Sequence, residues 1–132
     1  MKIERRFTKA GKGPYEGIDW EERVSEIRNP DGKAVFLMEG VVVPSAWSQI
    51  ATDIIAQKYF RKAGVPADRE RAWEAFVPEA QRGRAGVSKK PGAEHDARQV
   101  FHRLAYTWLQ WGKGAGYFDT EEDEKAFYDE TL

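Results

Sequence analysis

The clearest hydrophobic pattern in the chain lies over residues 96–111. Apolar side chains recur there every three or four positions, which is the period of one face of an α-helix. The pattern predicts a helix with a buried face made of Ala97, Val100, Phe101, Leu104, Trp108 and Trp111. A further helix is predicted from Glu121, because Thr120 and Asp123 resemble a capping box and the acidic first turn suits the helix dipole.

Another helix is predicted over residues 45–63. Most of it lies in the stretch WSQIATDIIAQKYFRKAGVP, which is residues 47–66. Ser45 is its predicted N-cap, and Gly64 and Pro66 are expected to end it. Its predicted buried stripe consists of Trp47, Ile50, Ala51, Ile54 and Ile55. A short helix is predicted over residues 68–76, before a glycine-rich, polar and mobile loop at about residues 79–95.

The N-terminal third favours extended structure. Asn29-Pro30-Asp31-Gly32 lies between two extended stretches and predicts the turn of a β-hairpin over residues 24–43. Residues 1–23 combine glycine, proline and many charges, which is typical of an extended arm. Its scattered large apolar side chains are expected to attach it to the rest of the domain; they are Phe7, Tyr15, Ile18 and Trp20.

These elements predict one mainly α (α+β) domain over residues 1–132. We expect a small helical bundle of three to four helices over residues 44–132, with the arm and the hairpin in front of it. A chain of 132 residues is long enough for one domain with one core. The last helix has no stop signal before Leu132, which favours a fragment of a longer chain.

Composition excludes several classes of function. The net charge is −1, so no whole-domain attraction to nucleic acid is expected. The chain has no cysteine, which excludes disulfides, thiolate metal sites and thiol chemistry within it. No run of 18 apolar residues exists, so no membrane span is predicted. No apolar signal segment follows the N-terminus, and we expect a cytoplasmic protein.

Two glycine-rich stretches invite a phosphate-binding interpretation. GKGAG at residues 112–116 follows a helix rather than a strand, and Lys113 is not followed by Ser or Thr, as a P-loop requires. GKGPYEG at residues 11–17 also fails the dinucleotide pattern. Helix termination or a turn is therefore favoured for both stretches.

Histidines and carboxylates give no complete site. His95 and His102 could share a helix face with Asp96 nearby, but a metal site needs three or four converging ligands. We expect solvated or capping histidines instead. The run Glu121 to Glu124 lies in the first turn of a helix, where the dipole explains it better than acid–base catalysis does.

An RNA-binding alternative rests on the basic residues of the predicted loop, which are Arg82, Arg84, Lys89 and Lys90. Specific RNA binders expose stacking rings, whereas the rings here recur at helical period and are expected to be buried. The same argument favours a core role for Trp108 and Trp111 over stacking on a cofactor. Tyr59, Arg61 and Lys62 are further candidates for contact with a substrate, without support from a motif.

Four stretches in this order resemble one family. They are RRFTKAGKGPYEGI, SEIRNPDGKAVF, VPSAWSQIATDIIAQKYFRKAGVP and ARQVFHRLAYTWLQWGKGAGYF followed by FYDE. Their order and spacing are similar to the N-terminal region of bacterial class II ribonucleotide reductases, which depend on adenosylcobalamin (vitamin B12). The resemblance extends from about Arg5 to Glu130 and is weakest over residues 68–94.

The resemblance implies a function for a larger protein. Such enzymes convert ribonucleotides to deoxyribonucleotides for DNA synthesis through a thiyl radical in a ten-stranded α/β barrel. The family's catalytic cysteines lie downstream of this region. No catalytic, cofactor-binding or metal-binding residue is therefore assigned here, and adenosylcobalamin is expected only in the complete enzyme. Whether this chain should be counted as an enzyme stays open, because it would be part of an oxidoreductase without catalysis of its own.

The expected partner is the catalytic barrel, in the same or a separate polypeptide. Packing on the barrel would require an exposed apolar patch, rich in aromatic side chains, on the isolated region. An oligomer formed through the same exposed aromatic surface is an open alternative. No nucleic acid or membrane partner is expected. The alternative function is a stand-alone helical adaptor or regulator that docks onto a separate catalytic chain.

Overall fold

The computed structural model describes residues 1–65 and 92–132. The described elements are β1 (Trp20–Arg28), β2 (Ala34–Pro44), α1 (Gln49–Ile54), α2 (Ala97–Gly114) and α3 (Glu121–Thr131). A π-helical turn, Ile55–Tyr59, directly continues α1. The predicted helix at residues 68–76 and most of the predicted loop at residues 79–95 lie outside the described residues.

Strands β1 and β2 form an antiparallel hairpin. Trp20 pairs with Pro44 at its open end, and Ile27 pairs with Phe36 near the turn. In the turn, the N–H of Gly32 donates to the carbonyl of Asn29 at 2.9 Å, and Gly32 has a φ of +84°. The predicted turn is therefore confirmed, although β1 begins inside the stretch that was expected to be the arm.

Helix α1 starts later than the sequence suggested. Its N-cap is Ser48, whose side chain accepts from the N–H of Ala51, and not Ser45. After Ile54 the helix widens, and Phe60 N–H donates to the carbonyl of Ile55 at 3.0 Å. This i→i+5 bond is characteristic of a π-turn, which rotates the following side chains relative to an α-helix.

The predicted buried stripe of this helix is wrong at two of its five positions. Ile50 is 72% exposed and Ile54 is 49% exposed, whereas Thr52, Ile55 and Ala56 are buried. The buried side chains face the hairpin, and Arg23 of β1 donates to Oγ1 of Thr52 at 2.9 Å. The face that a short helix buries is thus set by its contact with the strands.

Helices α2 and α3 begin at well-formed caps. Asp96 and Gln99 make a capping box at the start of α2, and Thr120 caps α3 by accepting from the N–H of Asp123. The glycine run ends α2, as expected, but the helix continues to Gly114. Gly116 then takes a φ of +68° in the turn that follows.

The main core lies between the hairpin and the helices. It contains buried side chains from β2, the π-turn with Phe60, and the start of α2: Val41, Val43, Ile55, Ala56, Phe60, Ala97 and Val100. A second cluster, between α2 and α3, contains Ala105, Leu109 and Tyr128. Helix α2 therefore packs against β2 with its first half and against α3 with its second half.

The predicted helical bundle of three to four helices is wrong. Within the described residues, the fold is a small α+β domain with three helices and a two-stranded antiparallel sheet. The physical reason is that α1 has only six residues and packs on the hairpin. The helical periodicity of the sequence gives no sign of this sheet. The sheet supplies the packing surface that another helix would supply in a bundle.

The N-terminal arm attaches mainly through polar groups. Ile3 N–H donates to Oδ1 of Asp123 at 2.8 Å, and Arg5 pairs with Asp129 at 2.8 Å. Tyr15 is buried and contacts Trp20 edge-to-face, with 5.4 Å between ring centroids. Phe7, in contrast, is 89% exposed, so its expected role as an apolar anchor for the arm is wrong.

Candidate interaction surface

The second half of α2 carries two apolar stripes, displaced by one residue from each other. Ala105, Leu109 and Gly112 are buried against α3 and the segment before it. Leu104, Trp108 and Trp111 have the same spacing and are 38%, 44% and 68% exposed. We name this second set the outer stripe of α2. Positions 104, 108 and 111 lie on one helix face, so the outer stripe is a continuous apolar surface.

The expectation that Leu104, Trp108 and Trp111 are core residues is therefore wrong. Both stripes are apolar at helical period, and period alone cannot say which of them faces a neighbouring element. The buried stripe includes two small residues, Ala105 and Gly112. A β-carbon on Gly112 would lie 2.7 Å from Cε2 of Phe118, so glycine is what lets that ring approach the helix.

Tyr59, Arg61 and Lys62 do not converge on one site. Tyr59 is 58% exposed, and its carbonyl accepts from Nη2 of Arg103 at 3.1 Å. The Lys62 ammonium group turns back to the carbonyl of Ala56 and lies 4.9 Å from the centroid of the Phe36 ring. Partial desolvation by burial lowers the pKa of Lys62. The backbone N–H of Arg61 donates to a buried carboxylate, that of Glu94.

The environment of His102 differs from the predicted one. Its Nδ1 is hydrogen-bonded to the hydroxyl of Tyr128, and its ring stacks on Tyr106 with 5.5 Å between centroids. Desolvation by burial lowers the pKa of His102 to about 4, so the ring is neutral at pH 7. His102 is thus a packed residue between α2 and α3, and the prediction of a solvated or capping histidine is wrong for it.

His95 and Asp96 belong to the start of α2. The backbone N–H groups of both residues donate to Oε1 of Gln99, at 2.8 and 2.9 Å. The Asp96 carboxylate pairs with Arg98 at 2.6 Å. Across residues 1–65 and 92–132, no group of three or more His, Asp or Glu side chains is placed to hold a metal ion.

The acidic first turn of α3 has structural partners. The carboxylate of Asp123 accepts from Ile3 N–H and from Thr120, and these hydrogen bonds lower its pKa. Glu122 pairs with Arg5 at 3.3 Å, and Glu124 pairs with Lys113 at 2.6 Å. These carboxylates therefore hold the arm and the end of α2, which agrees with the predicted structural role.

The stretch GKGPYEG forms successive turns beside a surface cavity. Gly11 and Gly17 take φ values of +81° and +86°. The cavity has a volume of about 290 Å³ and is lined by Phe7, Thr8, Lys9, Lys12, Gly13, Pro14, Glu16 and Gly17. Lys12 pairs with Glu16 at 3.0 Å across one of these turns.

Two further points concern nucleic acid and membranes. Arg82, Arg84, Lys89 and Lys90, on which the RNA-binding alternative rests, lie outside the described residues. Among the helices that the structure describes, none is long and apolar enough to cross a lipid bilayer.

Neither Nδ1 of His102, as a metal ligand, nor the cavity at residues 7–17, as a ligand site, fits a cobalamin. Burial and the bond to Tyr128 keep His102 from presenting Nδ1 to a metal. The cavity of about 290 Å³ lies at the lower end of the range for drug-sized ligands, and a corrinoid is much larger.

These features define a small α+β domain with an exposed apolar stripe. Its sequence matches, over residues 21–132, the family described as class II vitamin B12-dependent ribonucleotide reductase. Vitamin B12-dependent ribonucleotide reductases of Agrobacterium fabrum and Bradyrhizobium diazoefficiens are each 48% identical to it over 139 residues. The reductase of Rhodopirellula baltica is 31% identical over 129 residues.

The matches cover nearly all of this chain but little of each relative. They span 98% of the chain and 11% of the Agrobacterium and Bradyrhizobium proteins, and 97% and 10% for Rhodopirellula. The chain belongs to the class II, vitamin B12-dependent ribonucleotide reductase family and is its N-terminal domain. The predicted family is therefore confirmed.

Proposed function

We propose that this domain is a non-catalytic packing element of an adenosylcobalamin-dependent ribonucleotide reductase. The complete polypeptide would convert ribonucleotides to deoxyribonucleotides in the cytoplasm, and the domain would stabilise its catalytic part. The absence of cysteine from these 132 residues supports this division of roles, since a thiyl radical cannot form within them. Adenosylcobalamin would then be bound outside this chain.

The observation that carries the proposal is the outer stripe of α2. Trp108 and Trp111 expose 44% and 68% of their surface although both lie in a regular, capped helix. Tryptophan is enriched at the energetic centres of protein interfaces because it buries a large apolar area with few rotatable bonds. The relatives are about nine times longer than the matched region, which leaves ample polypeptide to cover this stripe.

The proposal is tested in the complete reductase by replacing the tryptophans with lysine. Trp108→Lys and Trp111→Lys should leave the domain folded, because both rings are partly exposed in it. Detachment of the domain should raise its rate of proteolytic cleavage by roughly tenfold and lower ribonucleotide reduction in parallel. Limited proteolysis with mass spectrometry and an assay with adenosylcobalamin provide the two readouts.

Ile50→Lys is the matched control. Ile50 is 72% exposed on α1, outside the outer stripe, so the variant adds the same charge elsewhere on the domain. It should resemble the unmodified reductase in both readouts. Unchanged cleavage and activity in both tryptophan variants would contradict docking through the outer stripe.

A further inference from the structure

Phe7 is held in an exposed position by a fixed backbone. The carboxylate of Glu130 accepts from the N–H groups of Arg6 at 2.8 Å, Phe7 at 3.1 Å and Thr8 at 2.6 Å, and also from the hydroxyl of Thr8. Three consecutive backbone amides are thus bound to one carboxylate of α3. The Phe7 ring between them is nevertheless 89% exposed.

Bonds on the N-terminal side of Phe7 fix the arm as well. The Arg5 guanidinium, only 14% exposed, donates to Asp129 at 2.8 Å and to Oγ1 of Thr8 at 2.9 Å. Ile3 N–H donates to Asp123. Hydrogen bonds from Thr8 and Arg6 lower the pKa of Glu130 to about 2, so the carboxylate stays ionised at physiological pH. The exposure of Phe7 is therefore not that of a loose terminus.

A fixed, exposed aromatic ring suits binding. The backbone around Phe7 is already ordered, so a partner that covers the ring need not supply the ordering free energy of this segment. Aromatic anchors that fill a pocket on a partner are typical centres of interface affinity. Within the domain the ring covers little, and its exposure offers no stabilisation of the fold.

The surroundings of the ring indicate the chemistry of the partner. Arg6 and Lys9 are exposed on either side of Phe7, and the cavity of about 290 Å³ begins beside the ring. Lys12 on the cavity wall is already paired with Glu16. A complementary surface would offer an apolar socket for the ring and carboxylates facing Arg6 and Lys9.

We propose that Phe7 docks into an apolar socket with an acidic rim on the part of the reductase polypeptide outside these 132 residues. The matched region is only 11% of the length of the Agrobacterium relative, so most of such a polypeptide is available to provide the socket. The inference rests on the proposed function and adds a second contact, through the arm, to the one through the outer stripe of α2.

Hydroxyl-radical footprinting of the complete reductase tests this contact. The oxidation of Phe7 is measured by mass spectrometry in the native enzyme and in the same enzyme unfolded in urea. Docking predicts oxidation of Phe7 roughly tenfold slower in the native enzyme, because interface cores exclude solvent. The described residues leave 89% of Phe7 exposed, so protection that is present in the complete reductase and absent from the isolated 132-residue chain would come from the rest of the polypeptide. Oxidation as fast as in the unfolded enzyme would overturn the proposal.

The same footprint separates the two contacts. Protection of Trp108 and Trp111 with an unprotected Phe7 overturns the arm contact and leaves the proposed function standing. Oxidation of all three rings as in the unfolded enzyme contradicts both proposals.

Substitutions in the complete reductase give a second, independent readout. Phe7→Ala should increase proteolytic cleavage within residues 1–17 by roughly tenfold, and Phe7→Leu should restore most of the protection, because an apolar side chain still fills the socket. Glu130→Gln should act in the same direction as Phe7→Ala by loosening the arm. Cleavage of Phe7→Ala at the unmodified rate would overturn the proposal.

Discussion

Glu94 and Arg103 form an ion pair that ties the segment before α2 to the helix itself. Arg103 donates to the two carboxylate oxygens of Glu94 through Nε at 3.0 Å and Nη2 at 3.2 Å. The Glu94 side chain is only 4% exposed, and it also accepts from the N–H of Arg61 at 2.9 Å. One buried carboxylate therefore joins α2 to the segment that follows the π-turn.

Removing the cation from this pair should be costly. Arg103→Met leaves a buried carboxylate without its counter-charge, which should lower the free energy of unfolding by about 3 kcal/mol. Urea denaturation of the 132-residue chain measures the change. The double variant Glu94→Gln with Arg103→Met should recover much of the loss, since a neutral amide is easier to bury. A single variant as stable as the unmodified chain would contradict this account.

Two glycines of α2 should respond oppositely to alanine. At Gly112 the added β-carbon would lie 2.7 Å from the Phe118 ring, which also packs against Phe127. Gly112→Ala should therefore destabilise the domain by about 1–3 kcal/mol. At Gly114 no atom lies within 4 Å of the new β-carbon, and Gly114→Ala should stabilise the helix by up to about 1 kcal/mol. Thermal unfolding of both variants tests the contrast, which equal shifts would refute.

His102 should make stability depend on pH. Burial lowers its pKa to about 4, below the ordinary 6.5, so the unfolded chain binds this proton more readily than the folded one. The contribution of His102 to the free energy of unfolding is then fully present above pH 6.5. It falls as the pH decreases from 6.5 towards 4 and levels off below pH 4. After allowance for partial exposure of the ring, the loss is roughly 1–2 kcal/mol.

The control for this pH dependence is His102→Asn, which keeps a polar group near the Nδ1 position but cannot titrate. Urea denaturation at intervals between pH 4 and 7 should give a flatter profile for this variant. Identical slopes in the two proteins would assign the pH dependence to other groups.

The N-cap of α1 provides a test of a boundary that the sequence misplaced. Ser48 accepts from the N–H of Ala51 through Oγ, whereas the hydrogen bonds of Ser45 to Asp19 and Arg23 involve its backbone. Ser48→Ala should therefore cost about 1 kcal/mol, and Ser45→Ala should change the free energy of unfolding by less than about 0.5 kcal/mol. A larger loss of stability in Ser45→Ala than in Ser48→Ala, measured by chemical denaturation, would support the helix start at Ser45 that the sequence predicted.

Some local sequence signals predicted local structure, whereas the N-cap of α1 was misplaced. The turn at Asn29–Gly32 and the cap at Thr120 each depend on a few neighbouring residues whose backbone preferences are strong. The choice between the two stripes of α2 could not be predicted in this way. It depends on where Phe118 and α3 pack, and this is decided by contacts between distant parts of the chain.

The hydrogen bonds from the backbone around Phe7 to Glu130 could not be predicted from the sequence either. Glu130 and Thr8 are 122 positions apart, and neither belongs to a motif that would link them. The exposure of Phe7 is likewise a property of the tertiary structure. From the sequence alone, a phenylalanine in a charged segment is expected to anchor that segment to the core. The sequence resemblance identified the family, and the geometry was needed to find the surfaces.

The bonds between the arm and α3 also set an order of events during synthesis. Ile3 leaves the ribosome 120 residues before Asp123, its hydrogen-bond partner. At about 5–20 residues per second, the arm waits roughly 6–24 s before α3 can receive it. The hairpin and α1 are made in that interval and can form local contacts. Phe7 and the two arginines before it do not yet have their hydrogen-bond partners on α3. Capture of the first residues of this domain therefore has to follow the synthesis of α3.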